Sequence, residues 1–328
     1  MMRILGIGNA LVDVLTIVGS EEILKKFDLP KGSMQLVDRD KSDLVKSGTL
    51  HCRRILTAGG SAANTIHGLS MLGIQSGFIG SIGKDETGDF FEKEMKDAGV
   101  NTFLIRRDSV TGTAVALITP DSERTFATHL GAAVEIAADD LKPAMFEDYD
   151  ILYFEGYLIN DYRLVDSACR MAKEKGMLVS MDLSSYNVVE ANLDNFRKIA
   201  ENYVDILFAN ELEARAFTGT DLHQALTHMS SFSEVVILKV GPEGSILKKG
   251  EEVIKVSALP VRCKDTTGAG DLYAAGFLYG FAMGLNLEKC GKIGSLMAGK
   301  VIENIGARMN ARKFAEIKKS ISRIIREN

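Results

Sequence analysis

Apolar positions along the chain fall in short β-branched runs, separated by longer stretches in which they recur every three or four residues. Runs at 4–8, 77–82, 151–154, 178–182, 206–209 and 235–240 predict buried strands. Between them a helical period marks 62–72, 88–98, 162–175, 195–202, 211–217, 269–283 and 287–304, and an amphipathic segment at 311–325 follows. This alternation argues for βαβ units around a mainly parallel sheet.

Two segments break the rhythm. Residues 11–38 and 101–128 read as short alternating strands with turns, and in the second, 113–119 and 124–128 face each other across a Pro120-Asp121 turn. Both leave and rejoin the α/β pattern, which predicts a discontinuous antiparallel sheet over the edge of the main one, able to act as a lid. The expected division is a large α/β body of 1–10, 52–100 and 129–328 and a small β lid of 11–51 and 101–128. No internal repeat is visible.

Composition narrows the class. At 328 residues, 46% hydrophobic and 25% charged, with 31 Gly against 5 Pro, the chain is neither disordered nor fibrous, and it can bury its core without a disulfide or metal staple. A net charge of -5 lacks the basic excess that binding to a nucleic-acid backbone needs. Cys52, Cys169, Cys263 and Cys290 form no CxxC pair and are expected to be buried free thiols in a reducing cytoplasm. Asn9 and Asp13 interrupt the first apolar run before a signal-peptide core forms. The most membrane-like stretch, 269–287, carries Asp271, Asn286 and several glycines, which suits a helix buried between layers. The expectation is a cytoplasmic protein, monomer or homodimer, with a small-molecule substrate and no nucleic-acid or membrane partner.

Three glycine patterns were candidates for nucleotide chemistry. Gly6-Ile-Gly8-Asn9-Ala10-Leu11 fails as a dinucleotide fingerprint, because Leu11 takes the place of the third glycine and no helix follows. No GxxxxGK[ST] loop occurs, nor do protein-kinase HRD and DFG signatures. The third, Asp265-Thr-Thr-Gly-Ala-Gly-Asp271, stands directly before a long apolar helix. Gly268, Ala269 and Gly270 there let successive N–H groups turn toward one point, where the helix dipole adds positive potential. Asp271 at the rim would repel a statically bound phosphate. It makes sense as a base for a hydroxyl that loses its proton while attacking phosphorus, with the amides stabilising the transferred group. The competing reading makes Asp271 an ordinary first-turn helix acid. A second element, Ala58-Gly-Gly-Ser-Ala-Ala-Asn64, also precedes an apolar helix; its small side chains admit a polyhydroxyl ligand, or simply tight helix packing, and Asn64 offers a donor and an acceptor.

Together, AGGSAAN and DTTGAGDLYAAGF resemble the two signatures of the ribokinase and adenosine kinase family, the PfkB carbohydrate and nucleoside kinases. GNALVD, SERTFATHLGAA and ANELEA look most like the adenosine kinase branch. The resemblance covers essentially the whole chain and implies a ribokinase-like three-layer α/β/α fold with a small β lid. It implies Asp271 as the base, and Gly268, Ala269 and Gly270 as the anion hole. Asp13 would grip two sugar hydroxyls, with Gly59, Gly60 and Asn64 completing the sugar site and Asn9 beside it. Asn210 and Glu213 match an NxxE motif that organises water around Mg²⁺, which keeps several waters when bound. Arg124 matches an arginine that can meet phosphate. Thr266, Gly268, Gly270, Gly241 and Gly244 match positions beside ATP, and Lys239 stands where many relatives have Thr. Asp265, Thr267 and Gly306 fall where some relatives bind a monovalent cation such as K⁺ through backbone oxygens.

The implied reaction is transfer of the γ-phosphoryl of ATP, with Mg²⁺, to a primary hydroxyl of a ribose-containing acceptor, foremost adenosine to AMP. Leu11, Met34, Leu36, Phe126 and Tyr157 are candidate walls for a base, though alternating strands bury such residues anyway. The alternatives are a kinase for ribose, fructose or a related sugar, and a ligand-binding relative that lost the reaction.

Overall fold

The computed structural model describes residues 1–121 and 123–327. Ser122, the first residue of the 122–133 stretch, lies outside the described residues. Fourteen strands are seen among the described residues: β1 (Ile4–Ile7), β2 (Leu11–Ile17), β3 (Met34–Leu36), β4 (Arg53–Gly59), β5 (Ser76–Gly83), β6 (Asn101–Arg107), β7 (Gly112–Ile118), β8 (Arg124–His129), β9 (Ile151–Glu155), β10 (Leu178–Asp182), β11 (Ile206–Asn210), β12 (Val235–Lys239), β13 (Ser245–Lys249) and β14 (Glu252–Val256). They form a nine-stranded sheet in the order β14-β13-β12-β11-β10-β9-β1-β5-β6 and a five-stranded sheet in the order β3-β8-β7-β2-β4.

The large sheet is parallel from β12 to β6 and ends in an antiparallel hairpin, β13 and β14. Its central strands read as unbroken apolar runs because helices cover both faces. Alternate residues serve different cores. Ile4, Phe78, Tyr153, Phe208 and Ile237 pack with the helices Ser61–Leu72, Ala269–Ala282, Leu287–Val301 and Ala311–Arg326. Leu5, Ile79, Phe154, Met181, Leu207 and Val236 pack with Tyr162–Glu174, Leu193–Tyr203 and Glu211–Thr218 on the other face. The three-layer α/β/α expectation holds. The helix Ala269–Ala282 is buried between layers, and no helix among the described residues is long and apolar enough to cross a membrane. Of the cysteines, Cys169 and Cys290 are buried and Cys52 partly so, but Cys263 is exposed, contrary to expectation.

The small sheet differs from its sequence reading in three ways. Residues 101–107, assigned to the lid, are β6, an edge strand parallel to β5. An edge strand is half solvated, so its alternation looks like that of a small open sheet until its partner is known. Residues 53–59, assigned to the large body, are β4, paired with β2 along its whole length from Leu11↔Gly59 to Ile17↔Arg53. Finally, the sheet is mixed: β2 with β7 and β3 with β8 are parallel, and 11–48 includes two helices, Glu22–Lys26 and Arg39–Gly48. The expected β7–β8 hairpin is present, with Ile118 opposite Arg124. Val14, Leu24, Phe27, Val45, Val115 and Leu117 fill a core on one face of this sheet.

Candidate active site

Five adjacent parallel strands end in, or just before, a polar residue: Asn9 after β1, Glu155 of β9, Asp182 of β10, Asn210 of β11 and Lys239 of β12. Desolvating such side chains inside a two-sided sheet is costly. At the carboxyl ends, where open α/β sheets bind ligands, they can face a cleft instead. Asp182, Asn210, Glu213 and Lys239 border a cavity of about 640 Å³, whose walls also include Gly60, Ser61 and Asn64, residues 266–271, Tyr157, and Leu11, Asp13, Met34, Phe126 and Thr128 of the small sheet.

Two glycines with positive φ bring the helix-starting loops together. At Gly60 (φ +97°) a Cβ would collide with the Asn9 carbonyl oxygen, so only glycine lets the start of Ser61–Leu72 lie against the end of β1. Gly268 (φ +77°) caps Ala269–Ala282, and a Cβ there would sit 2.5 Å from that of Ala307. The Ala269 N–H donates to the Thr266 carbonyl at 3.1 Å, so the turn itself uses this amide of the expected anion hole. Gly270 and Asp271 remain in the first helical turn, whose N–H groups have no acceptor within the helix and lie at the positive end of its dipole.

Asp271 is held from the other glycine loop. Ser61 Oγ donates to Oδ1 at 2.7 Å and Asn64 Nδ2 to Oδ2 at 2.9 Å, while the Thr65 hydroxyl donates to the Asp271 carbonyl at 3.0 Å. Burial raises its carboxyl to about 6 despite the Asn64 and Ser61 bonds, and Asp182 adds to the rise. A carboxylate so tuned is still ionised at neutral pH yet basic enough to take a proton.

Asp13 projects from β2 beside Gly59, and burial drives its carboxyl up to about 7, opposed chiefly by Arg308 and reinforced by Asp271. Glu155, also pushed to about 7 by burial, accepts hydrogen bonds from Asn9 N at 3.0 Å, Asn9 Nδ2 at 2.6 Å and Ala62 N at 2.7 Å. It thereby ties the end of β1 to the start of Ser61–Leu72.

Farther along the cleft, Lys239 Nζ donates to Asp182 Oδ2 at 2.7 Å, and a Cβ placed on Gly270 would lie 3.4 Å from the same Nζ. Lys239 therefore carries its positive charge to the anion-hole loop. Glu213 and Asn210 close a capping box: Asn210 Oδ1 accepts from Glu213 N at 2.9 Å, while Asn210 N and Nδ2 donate to the two Glu213 oxygens at 2.7 Å each. Burial lifts the Glu213 carboxyl to about 7, with Lys239 opposing. Gly241 borders the cavity; Gly244, in the turn between β12 and β13, is not among its lining residues. Asp265, Thr267 and Gly306 do come together, and Arg124 turns toward them; none of these except Thr267 borders the cavity.

A second cavity of about 540 Å³ shares Leu11, Met34, Gly60, Ser61, Thr128 and Tyr157 with the first. Leu36, Leu130, Val134, Ile136 and Leu158 make the rest of it largely apolar, with Asn9, Glu155, Asn160 and Asn187 as polar points.

A family model described as pfkB family carbohydrate kinase matches residues 34–313. The chain belongs to the pfkB family. Membership makes it a kinase, a phosphotransferase of an ATP-using family. It is 33% identical over 74% of its length to a protein of Archaeoglobus fulgidus named an uncharacterized sugar kinase, 96% of which is covered. It is 29% identical to the adenosine kinase of Saccharomyces cerevisiae, over 94% of this chain and 97% of that one. The solved adenosine kinase of Sinorhizobium meliloti superposes with a TM-score of 0.88 at 32% identity, covering 97% of this chain and 99% of the other.

Four residues that line or brace the cleft went unread in the sequence: Ser61, Glu155, Asp182 and Arg308. The signal for Glu155 and Asp182 was present, since Asp182 closes the predicted strand 178–182 and Glu155 directly follows the predicted strand 151–154. Ser61 was part of a motif but indistinguishable from a packing residue. Arg308, whose Nε donates to the Ala58 carbonyl at 2.7 Å, lies 250 residues from its partner and had no local signature.

Proposed function

We propose that the protein transfers the γ-phosphoryl group of ATP to the primary hydroxyl of a ribonucleoside, adenosine above all, giving AMP. The observation that carries this reading is the second cavity. A free sugar would occupy the space beside Asp13, Asn64 and Asp271 and leave an apolar chamber of about 540 Å³ empty, whereas the base of a nucleoside would enter it. At its mouth, Met34 and Leu36 are 57% and 66% exposed, apolar surface that a base would cover.

In this reading the acceptor oxygen attacks the γ-phosphorus as the bond to the ADP oxygen breaks, and its proton passes to Asp271. The Gly270 and Asp271 amides and Lys239 meet the charge spread over the transferred oxygens. Each Glu213 oxygen accepts one hydrogen bond from Asn210, which leaves a lone pair for a water, so Asp182, Asn210 and Glu213 suit a Mg²⁺ ion held through its waters. Bound there, Mg²⁺ would neutralise phosphate charge. The small sheet would close over the acceptor and exclude water.

A coupled kinase assay over nucleosides and free sugars tests the acceptor. Tyr157, whose ring walls both cavities, is the probe: Tyr157→Ala should raise the adenosine KM about tenfold, the low end of base stacking on an aromatic ring. Ribose turned over as well as adenosine, with Tyr157→Ala silent, would assign the sugar-kinase alternative instead. The base also predicts a pH profile. Asp271 acts deprotonated, and burial raises its carboxyl to about 6 in the free protein, so kcat/KM should fall as pH drops through that range. A kcat/KM independent of pH down to about 4.5 would remove Asp271 from the proton transfer.

A further inference from the structure

We propose that Arg308 is a positioning residue for the acceptor: its guanidinium, fixed behind the Gly59-Gly60 loop, supplies the positive field that keeps Asp13 ionised and able to accept hydrogen bonds from hydroxyls. This rests on the reading of Asp13 as the carboxylate that takes the acceptor's hydroxyls. Asp13 borders the main cavity together with Asn64 and Asp271. Gly59 of β4 is two residues on from Thr57, the register partner of Asp13, and so shares its face of the sheet. A Cβ on Gly59 would sit 2.4 Å from Asp13 Oδ1 and 2.6 Å from Oδ2. Among the described residues no group donates a hydrogen bond to this carboxylate, so charge at a distance is what sustains its ionised form. Burial, Asp271 and Asp265 oppose that form. Of the cations, Arg308 favours it most, and Arg124 is already paired with Asp265 at 2.7 Å.

The chain around Arg308 places its charge. In three successive residues, Gly306 N donates to Asp265 Oδ2 at 2.6 Å, Ala307 packs on Gly268, and Arg308 Nε donates to the Ala58 carbonyl at 2.7 Å. The guanidinium is thereby fixed relative to both glycine loops. The rest of it meets no anion: Nη2 lies 3.7 Å from Met95 Sδ, and Nη1 is buried without a hydrogen-bond partner. A buried cation without a counter-charge is costly, and the carboxylates that face this one are Asp13 foremost, then Glu94 and Asp271. Its field reaches them because the space between is protein interior of low dielectric. Burial lowers Arg308 to about 10, which leaves it cationic at neutral pH. His67, on the helix Ser61–Leu72, is held neutral by burial and by the guanidinium itself.

The test follows the affinity of the full-length enzyme for adenosine, and for ribose in parallel, by calorimetry without ATP between about pH 5.5 and 9.5. Arg308→Gln removes the charge and can keep the bond to Ala58, since glutamine Nε2 is as many bonds from the backbone as arginine Nε; Arg308→Lys keeps the charge. In Arg308→Gln the pH below which affinity falls should rise by about one unit, the low end for a neighbouring opposite charge. Binding should then be about fivefold weaker at pH 7 yet within about twofold of wild type at pH 9.5, while Arg308→Lys stays within about twofold throughout. A loss equal at every pH, or recurring in full in Arg308→Lys, makes Arg308 a structural residue and overturns the proposal. The carbon-13 shift of the Asp13 carboxyl, assigned by its disappearance in Asp13→Asn, gives the same comparison in the free enzyme and needs no acceptor. A titration that Arg308→Gln leaves unmoved overturns the proposal directly. One that moves up while affinity ignores pH overturns it through the reading of Asp13 on which it rests. Should Arg308→Gln not fold, the double variant with Asp13→Asn decides: with both charges gone neither is left buried alone, so it should fold, and a double variant equally unfolded overturns the proposal.

Discussion

Asp271→Asn should lower kcat by about 10²- to 10⁴-fold, the usual worth of a positioned general base. The substitution preserves the site around it. The new amide oxygen can still accept from Ser61, and its NH₂ would face Asn64, whose Oδ1 is buried without a hydrogen-bond partner. Rotation of the Asn64 amide by half a turn then pairs donor with acceptor, so packing and acceptor affinity should survive. What is lost is the capacity to take the hydroxyl proton as the bond to phosphorus forms. Circular dichroism, acceptor binding and kcat measured together check this. A variant retaining more than about a tenth of wild-type kcat would show that the proton leaves by another route.

The second large effect is expected at Asp13→Ala, where the acceptor KM should rise by roughly 10²-fold or more while the KM for ATP barely moves. A carboxylate gripping two adjacent hydroxyls makes two charge-assisted bonds of about 1.5–3 kcal/mol each. Asp13 stands near 7 in the free protein because it is buried close to Asp271 with no ligand to compensate it, and two hydroxyl donors would draw it back toward the ionised form. Acceptor affinity should therefore weaken as pH falls below 7. Since Asp13 also offsets the buried charge of Arg308, Asp13→Asn serves as the milder control. Equal rises in both KM values would make Asp13 a structural residue.

Much of this was legible in the chain. The buried strands of the large sheet are runs of five or so apolar residues, and the hydrophobic effect alone specifies them when both faces are covered. The two glycine loops were legible because φ > 0 and close backbone approach leave little choice of residue, as at Gly60 and Gly268. Asp271, fixed three residues into a helix behind such a loop, inherits its position from local geometry.

Tertiary structure decided what depends on partners distant in sequence. Whether 101–107 joined β5 or the small sheet, and whether 53–59 paired with β2, was set by registers that half-exposed strands do not encode in their own pattern. The same holds for the electrostatics. Lys239 read as a departure from Thr, yet its carbon chain lets the ammonium span from β12 to Asp182 and the Gly270 loop. Arg124 read as a phosphate ligand and is found against Asp265, 141 positions away. A side chain's charge is written in the sequence, but the burial and counter-charges that determine its chemistry exist only once distant segments are brought within a few ångströms.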